Sequence, residues 1–289
     1  MNFPDYFADA ESGFSEADFV LVGVPYDKTS SFRKGAALAP KEIRQTSWNF
    51  ESYNIITDVD FTDIKVHDYG NIDVTNDSSA VMLEKVTKFS KKILDANKFP
   101  VFIGGEHSIT AGIVKAFPKD IAVLVLDAHL DFRQSYLDNC FNHACVVRRI
   151  SDHIDVGNIA IVGVRSAEKE EYEAAKSDGL FFIDSFSIKN QGVEKILTQL
   201  DKKLNSDKIY LSLDIDVIDP AYAPGTSTPE PFGLNPFEFL KIINHFAPKL
   251  IGCDITEVCP PFDHGQTALL AAKFIRYIIE NQWIKKRLV

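Results

Sequence analysis

The stretch Ile121-Ala-Val-Leu-Val-Leu126 is followed immediately by Asp127-Ala-His-Leu-Asp131. The first part is apolar without interruption and rich in branched side chains, which is typical of a strand buried on both faces of a parallel sheet. In the second part, Asp127, His129 and Asp131 occupy alternate positions, so an extended backbone directs all three to the same side. Open parallel sheets bind ligands just beyond the carboxyl ends of their strands. This stretch therefore predicts a buried strand that leads directly into a ligand site.

Strand-like and helix-like segments alternate along the rest of the chain. Such alternation indicates parallel strands joined by helical crossovers, with both faces of the sheet covered. We predict an α/β fold with three layers (α/β/α) around a mostly parallel central sheet of about eight strands; a closed barrel is the alternative. The predicted strands are residues 19–24, 64–66, 99–103, 121–126, 158–164, 180–183, 209–213 and 250–253. The predicted helices are residues 40–48, 79–96, 108–117, 143–150, 168–176, 193–204, 236–246 and 267–279, of which 168–176 is an acidic surface helix.

The composition is that of an ordinary globular protein. Of the 289 residues, 45% are hydrophobic and 25% are charged, as in average globular chains. The sequence contains no internal repeat and no stretch that resembles a linker. We therefore expect residues 1–289 to form a single domain with a large core.

Charge and segment patterns argue against several classes of partner. The net charge of −10 disfavours nucleic acid, because phosphate binding needs a basic surface. No stretch approaches the roughly 18 consecutive apolar residues of a membrane span, and the N-terminus lacks the pattern of a signal peptide. The four cysteines match no zinc motif, so we expect reduced thiols. These features predict a cytoplasmic protein without nucleic-acid or membrane partners.

Side chains of the kind that bind metals follow four of the predicted strands. They are His107; Asp127, His129 and Asp131; Asp214 and Asp216; and Asp254 with Glu257. Each group alone has an ordinary explanation, such as a histidine at a helix start or aspartates in a turn. Together, several carboxylates at one edge of a sheet would repel one another and would be costly to desolvate. Divalent cations would remove both costs.

The set of donors favours two metal ions over one. Its four aspartates carry four negative charges, which two divalent ions balance. Two histidines and four aspartates form an oxygen-rich set that suits an octahedral ion such as Mn²⁺ better than tetrahedral zinc. Two ions roughly 3.5–4 Å apart can share a water molecule and lower its pKa enough to give hydroxide near neutral pH. The residues alone therefore indicate metal-activated hydrolysis.

These motifs together resemble those of the ureohydrolase (arginase/agmatinase) family. The matching stretches are Gly104-Gly-Glu-His-Ser108, Asp127-Ala-His-Leu-Asp131, Ser212-Leu-Asp-Ile-Asp216 and Asp254-Ile-Thr-Glu-Val258, in the order and spacing of the family. Further matches are Gly23-Val-Pro25, Gly35, Pro40, Ile43, Arg44 and Asp219-Pro-Ala-Tyr-Ala-Pro-Gly-Thr-Ser-Thr-Pro229. The resemblance covers essentially the whole chain, and within the family the last of these stretches is most similar to agmatinases.

The resemblance implies a role for each of these side chains. The implied metal ligands are His107 and Asp131 on one Mn²⁺, His129 and Asp216 on the other, and Asp127 and Asp214 as bridges between the two ions. His143 would carry a proton to the departing amine, and Glu257 would grip the guanidinium of the substrate. Asp254 would support the ligands from behind. The family also implies a homo-oligomer, either a trimer or a hexamer.

The implied reaction is hydrolysis of a guanidinium to urea and an amine, a step of polyamine biosynthesis. Agmatine, which gives putrescine, is the favoured substrate. Aminopropylagmatine, which gives spermidine, is the second candidate, followed by arginine, guanidinobutyrate and other guanidino acids. Glu168 could meet an ammonium tail, although a solvated helix face is its ordinary explanation. Arg133 could recognise an anionic tail, although a structural salt bridge is the ordinary alternative.

Two other classes of protein are consistent with parts of this pattern. A deacetylase-like amidohydrolase would share the architecture, but it would use a single zinc ion and would not need His107. A non-catalytic relative would be expected to have lost ligands, His143 or Glu257, all of which are present. Metal content separates the three classes: two manganese ions, one zinc ion or none.

Overall fold

The sheet is seen in a computed structural model that describes residues 3–288, with side chains described through residue 285. The strands are β1 (Phe19–Val24), β2 (Tyr53–Asn54), β3 (Val59–Asp60), β4 (Val66–Asn71), β5 (Phe99–Gly104), β6 (Ala122–Leu126), β7 (Ile159–Val164), β8 (Phe181–Asp184), β9 (Ile209–Asp214) and β10 (Leu250–Thr256). Strands β2 and β3 form an antiparallel hairpin. The other eight form one sheet in the order β4-β1-β5-β10-β9-β6-β7-β8, and their pairings are parallel. The sheet is open, with β4 and β8 at its edges, so the α/β prediction is confirmed and the closed barrel is wrong.

Helices connect the parallel strands. They are α1 (Ala39–Ser47), α2 (Ser79–Asp95), α3 (Ile109–Val114), α4 (Val146–Ser151), α5 (Lys169–Ser177), α6 (Ser185–Gln191), α7 (Val193–Lys203), α8 (Pro236–Phe246) and α9 (Gln266–Leu288). Short 3₁₀ turns occur at Ala36–Leu38, Phe61–Asp63, His143–Cys145, Val156–Asn158, Ile215–Val217, Ala247–Lys249 and Pro260–Phe262. Capping explains some of the starts: Asn235 and Glu238 form a capping box ahead of α8. Within residues 3–288, no helix has the length and apolar character needed to cross a membrane.

Two hydrophobic cores lie on opposite faces of the sheet. In β6, Leu124 and Leu126 belong to one core and Val123 and Val125 to the other, as the alternation of a strand requires. Residues of α1, α7, α8 and α9 complete the first core. Residues of α2, α3 and α4 complete the second. The layers are therefore helix, sheet and helix, and the central strands are buried on both faces.

Helices α6 and α9 differ from the predicted elements. Helix α6 was not predicted; Asp184 begins it by accepting a hydrogen bond from the backbone N–H of Ser187 at 2.8 Å. Helix α9 continues well beyond residue 279. Its added turns are held by Trp283, which packs against the first core, and by Gln282, whose side-chain amide donates to the carbonyl oxygen of Leu250 at 3.1 Å. Neither of these two contacts of α9 is visible in the local sequence pattern.

Gly105 allows two loops to meet at the end of the sheet where the ligand-type residues lie. A Cβ atom at this position would be 2.0 Å from the carbonyl oxygen of Tyr26. That same carbonyl accepts the backbone N–H of Glu106 at 2.7 Å. The contact therefore ties the loop after β1 to the turn after β5, and it leaves no room for a side chain.

We predict that Gly105→Ala destabilises the fold by about 2–3 kcal/mol, because the added methyl group forces two backbone segments apart. The measurement is the midpoint of urea-induced unfolding. Gly13→Ala is the matched control, since a Cβ atom there meets nothing within 4 Å. Equal midpoints for the two variants would contradict the prediction.

Candidate metal centre

The candidate centre lies at the carboxyl ends of four strands that are neighbours in the sheet, β5, β10, β9 and β6. His107 follows β5, and Asp127, His129 and Asp131 follow β6. Asp214 ends β9, Asp216 lies in the 3₁₀ turn that follows it, and Glu257 follows β10. These parallel strands end at the same edge, so the residues after them converge there.

The first group of donors surrounds His107, whose side chain is buried. Its Nδ1 atom lies 3.0 Å from Asp127 Oδ2, 3.2 Å from Asp131 Oδ2 and 3.3 Å from Asp214 Oδ2. His107, Asp127 and Asp214 each offer one ligand atom within a space that would hold a single ion. Three of the predicted ligands thus lie close enough together to hold one ion, and Asp131 lies beside them.

The second group surrounds His129. Its Nδ1 atom lies 2.9 Å from Asp216 Oδ2 and 3.5 Å from Asp127 Oδ1. Asp127 therefore presents one oxygen to each group, so the two groups of donors share this residue. Asp214 presents Oδ2 to the first group, while its Oδ1 accepts the backbone N–H of Asp216 at 2.9 Å.

Backbone N–H groups orient the carboxylates. His129 N donates to Asp127 Oδ1 at 2.6 Å, and Ala128 N donates to Asp216 Oδ1 at 3.0 Å. Asp131 and Glu257 have left-handed backbones, with φ values of 47° and 60°. Such conformations cost free energy in residues other than glycine and are concentrated at functional sites.

The charges of the cluster fit divalent cations. Burial, together with the neighbouring carboxylate of Asp127, raises the pKa of Asp131 to about 7. Burial also raises the pKa of Asp214 well above its usual range, with Asp216 and Asp127 adding to the effect. His107 Nδ1 and Asp127 Oδ2 are buried without a hydrogen-bond partner. Cations bound among these atoms would satisfy the orphaned atoms and relieve the repulsion.

A chain of hydrogen bonds behind His107 fixes which of its nitrogens faces the cluster. Asp254 is fully buried and accepts from Tyr210 OH at 2.7 Å and from Ser212 Oγ at 2.8 Å. Because Ser212 gives its only proton to Asp254, its oxygen accepts the proton of His107 Nε2 at 3.0 Å. The lone pair of Nδ1 is then free to bind a metal ion. Tyr210 was not singled out by sequence, and Ser212 was named within a matching stretch but given no role, because their contacts join different strands.

Glu257 lies above the cluster with a buried carboxyl group. Its Oε1 accepts the backbone N–H of His107 at 2.7 Å, and its own N–H donates to the carbonyl of Gly105 at 2.8 Å. Burial raises the pKa of Glu257 to about 7. A bound cation would favour the ionised form of this carboxyl group.

A cavity of about 270 Å³ opens onto these groups. Its lining residues are Ser31, His129, Asp131, Arg133, Tyr136, His143, Ala144, Ser166, Ala167, Glu168, Glu171, Asp214, Asp216, Thr228, Glu230 and Glu257. The structure thus brings His143, Glu257 and Glu168 to the same cavity, whereas Asp254 lies behind the cluster. Glu230 was not identified from sequence; its Oε1 lies 3.7 Å from His129 Nε2.

Arg133 at the cavity wall has two carboxylate partners. It lies 3.2 Å from Glu168 Oε1 and 3.3 Å from Glu171 Oε2, and its guanidinium stacks on the ring of Tyr136. Glu171 also accepts the backbone N–H of Phe132 at 2.8 Å. The expectation of an acidic surface helix over 168–176 is therefore wrong for Glu171, which is buried and holds the loop after β6 through Phe132.

Comparisons with known proteins agree with this geometry. Residues 17–280 match the model of the arginase family. The chain is 35% identical to an agmatinase of Bacillus anthracis, covering 96% of each protein. It is 38% identical to the N(1)-aminopropylagmatine ureohydrolase of Thermococcus kodakarensis, covering 91% of this chain and 90% of that protein. The crystal structure of the agmatine ureohydrolase of Thermoplasma volcanium superposes with a TM-score of 0.94 at 38% identity, covering 100% of this chain and 97% of that one.

The fold and the clustered donors define a hydrolase of the α/β class with candidate metal-binding groups. The chain belongs to the arginase family, within which it is an agmatinase-type ureohydrolase. The family resemblance seen in the sequence is thereby confirmed.

We predict that removal of Asp127 and removal of Asp216 have different effects on metal content, because Asp127 offers a ligand atom to both groups of donors and Asp216 to one of them. The wild-type protein is expected to bind two divalent ions per chain. Asp216→Ala should retain one, and Asp127→Ala should weaken both sites. The measurement is equilibrium dialysis against Mn²⁺ followed by elemental analysis.

Asp155→Ala is the control, since Asp155 caps an exposed turn far from the cluster in sequence. Retention of two ions by Asp127→Ala would show that the cluster is not the metal site.

Proposed function

We propose that this protein hydrolyses agmatine to putrescine and urea with two Mn²⁺ ions per chain. The observation that carries the proposal is the pair of donor groups that share Asp127 beneath a cavity that Glu257 lines. The oxygen-rich donor set supports manganese over zinc. Agmatinases among the relatives support the substrate.

The proposed ligands are those implied by the sequence. They are His107 and Asp131 for one ion, His129 and Asp216 for the other, and Asp127 and Asp214 as bridges. When bound, the two ions would supply a water molecule acidic enough to act as hydroxide near neutral pH. The protein's own part is to hold the guanidinium and to move protons.

Glu257 is the proposed anchor of the guanidinium. A planar guanidinium can donate two parallel hydrogen bonds to a carboxylate. Because the Glu257 carboxyl group is buried, pairing with a cation would stabilise its ionised form. The anchored substrate would present its central carbon to the floor of the cavity, where His129, Asp214 and Asp216 lie. Most of the rate enhancement expected from Glu257 would come from positioning the substrate.

His143 is the proposed proton carrier. Burial is the main cause that lowers the pKa of His143 to about 4. The imidazole is therefore neutral near pH 7 and can accept a proton from the attacking oxygen. It can then give that proton to the departing amine, which leaves as the C–N bond breaks.

The mouth of the cavity favours a cationic tail. Glu168 and Glu230 both line it, while the only described cation in the lining, Arg133, is already paired with Glu168 and Glu171. An ammonium group would meet these two acidic side chains there. A guanidino acid would instead bring a carboxylate toward these acidic groups, and it would have to compete with them for Arg133.

Aminopropylagmatine is the second candidate substrate. It carries a further amine beyond the agmatine backbone, and two acidic side chains at the mouth can meet additional positive charge. The ureohydrolase of Thermococcus kodakarensis, at 38% identity, acts on this compound according to its name. Guanidinobutyrate and arginine follow, because each has an anionic end.

We also propose that the chain acts as one domain within a homo-oligomer, a trimer or a hexamer. The single eight-stranded sheet supports one domain. Exposed aromatic side chains at Phe186, Phe232 and Phe237 support contacts between subunits. The four unpaired cysteines are compatible with a reducing compartment such as the cytoplasm. Light scattering during gel filtration tests the oligomer.

The experiment that tests the function is urea release with Mn²⁺ from agmatine, aminopropylagmatine, guanidinobutyrate and arginine. We expect turnover of agmatine, with kcat/KM higher than for either guanidino acid. Higher kcat/KM for aminopropylagmatine would favour the second candidate. Turnover of only the acids would overturn the proposed substrate class.

We predict that Glu257→Gln lowers kcat/KM for agmatine by roughly 10³-fold or more, because a neutral amide cannot pair with a guanidinium. The amide oxygen can still accept the N–H of His107, so metal content should be unchanged. Glu170→Gln on the exposed face of α5 is the control. Full activity of Glu257→Gln with agmatine would contradict the assignment.

We predict that Glu171→Gln shifts selectivity toward anionic tails. With one of its carboxylate partners neutralised, Arg133 should attract a substrate carboxylate, and the ratio of kcat/KM for guanidinobutyrate to that for agmatine should rise about tenfold. Glu173→Gln, on the same helix but exposed, is the matched control. An unchanged ratio in Glu171→Gln would show that Arg133 takes no part in selecting the tail.

A further inference from the structure

Glu106 is a fully buried carboxyl group to which neither the sequence nor the proposed mechanism gives a task. It follows β5 directly and points toward the loop after β1. It accepts Thr29 Oγ1 at 2.6 Å, the backbone N–H of Thr29 at 2.6 Å and Ser108 Oγ at 2.5 Å. All three partners can act as donors, which is the arrangement that an ionised carboxylate satisfies and a protonated one would disturb.

Thr29 also contacts His143. Its Oγ1 accepts the backbone N–H of His143 at 3.0 Å and lies 3.2 Å from His143 Nδ1. A threonine hydroxyl has one proton and two acceptor sites. The proton is directed to Glu106, and one acceptor site is occupied by the His143 N–H. The remaining acceptor site faces Nδ1, and a hydrogen bond there requires that Nδ1 carries the proton.

We propose that Glu106 and Thr29 are positioning residues that hold His143 as the Nδ1–H tautomer. In this form the lone pair of the imidazole is on Nε2, the ring nitrogen not engaged by Thr29, and His143 lines the cavity. The ring of Tyr136 meets the imidazole edge to face, with centroids 6.2 Å apart, and limits its rotation. A similar chain of hydrogen bonds acts on His107. There, Ser212 and Asp254 fix the opposite tautomer, in which Nε2 carries the proton.

The tautomer matters for the proposed reaction, and the inference rests on the role of His143 in that proposal. Nε2 takes a proton from the oxygen that has attacked the guanidinium carbon. The imidazolium gives this proton to the nitrogen of the departing amine, which receives the electron pair of the breaking C–N bond. His143 returns to its starting form, so atoms and charge balance. An Nε2–H tautomer would present a donor where the first step needs an acceptor.

The test compares Thr29→Val with Thr29→Ser in the Mn²⁺-loaded enzyme, using agmatine. Valine keeps the shape of threonine but has no hydroxyl group. We expect kcat to fall roughly 100-fold in Thr29→Val, within the range for losing proton transfer, with KM changed less than about threefold and metal content unchanged. Thr29→Ser restores the hydroxyl and should recover most of kcat.

A double-mutant cycle with His143→Asn separates positioning from a structural role. If Thr29 acts through His143, Thr29→Val should cause no further loss of kcat in the His143→Asn background. Glu106→Gln tests the same chain from its other end, because its amide can donate to Thr29 and turn the hydroxyl proton toward Nδ1. We expect Glu106→Gln to lower kcat without loss of metal, and this loss also to vanish in His143→Asn.

Four results would overturn the inference. Thr29→Val with unchanged kcat, while His143→Asn is impaired, would mean that the tautomer is not set through Thr29. Additive losses in the cycle, or a fall in metal content in Thr29→Val, would mean that Thr29 is structural. Full activity of His143→Asn would remove the proposed role of His143, and the inference with it; urea release by the wild-type enzyme would still stand.

Discussion

Carboxylates buried at the ends of four neighbouring strands are the constraint on which the rest of the structure depends. Asp127, Asp214 and Asp216 lie within a few ångströms of one another in a site with little access to water. Such a cluster is destabilising by itself, because each charge loses hydration and meets like charges. The parallel sheet with a core on each face can hold these groups in place, and backbone N–H groups and imidazoles orient their oxygens. Divalent cations bound there would offset the remaining repulsion.

Carboxylates serve a second purpose around the cluster, which is to set the direction of hydrogen bonds. Asp254 acts on His107 through Ser212, so that the nitrogen facing the aspartates keeps its lone pair. Glu171 accepts the backbone N–H of Phe132 and so holds the loop after β6. It also forms an ion pair with Arg133 at the cavity wall. The acidic groups behind and beside the cluster therefore orient the candidate ligands. They also determine the charge that an incoming substrate meets.

The sequence predicts the sheet and the clustered donors well, because both depend on local patterns. Strand β6 and the ligands after it are contiguous, so burial and alternation can be read directly from residues 121–131. Contacts between distant segments could not be predicted this way. Thr29 and Glu106 are 77 residues apart and meet only because β1 pairs with β5. Glu171 lies in a stretch whose sequence is typical of a solvent-exposed helix face. Its contacts with Arg133 and Phe132 nevertheless hold it in a buried position.

The most direct test of the account is a titration of the metal-free enzyme with Mn²⁺ during urea release from agmatine. We expect the reaction to require two ions, since the donors form two groups that share Asp127. Activity should therefore rise with added Mn²⁺ until two equivalents per chain are bound and then remain constant. Full activity with a single bound ion, or no urea with two ions bound, would contradict it.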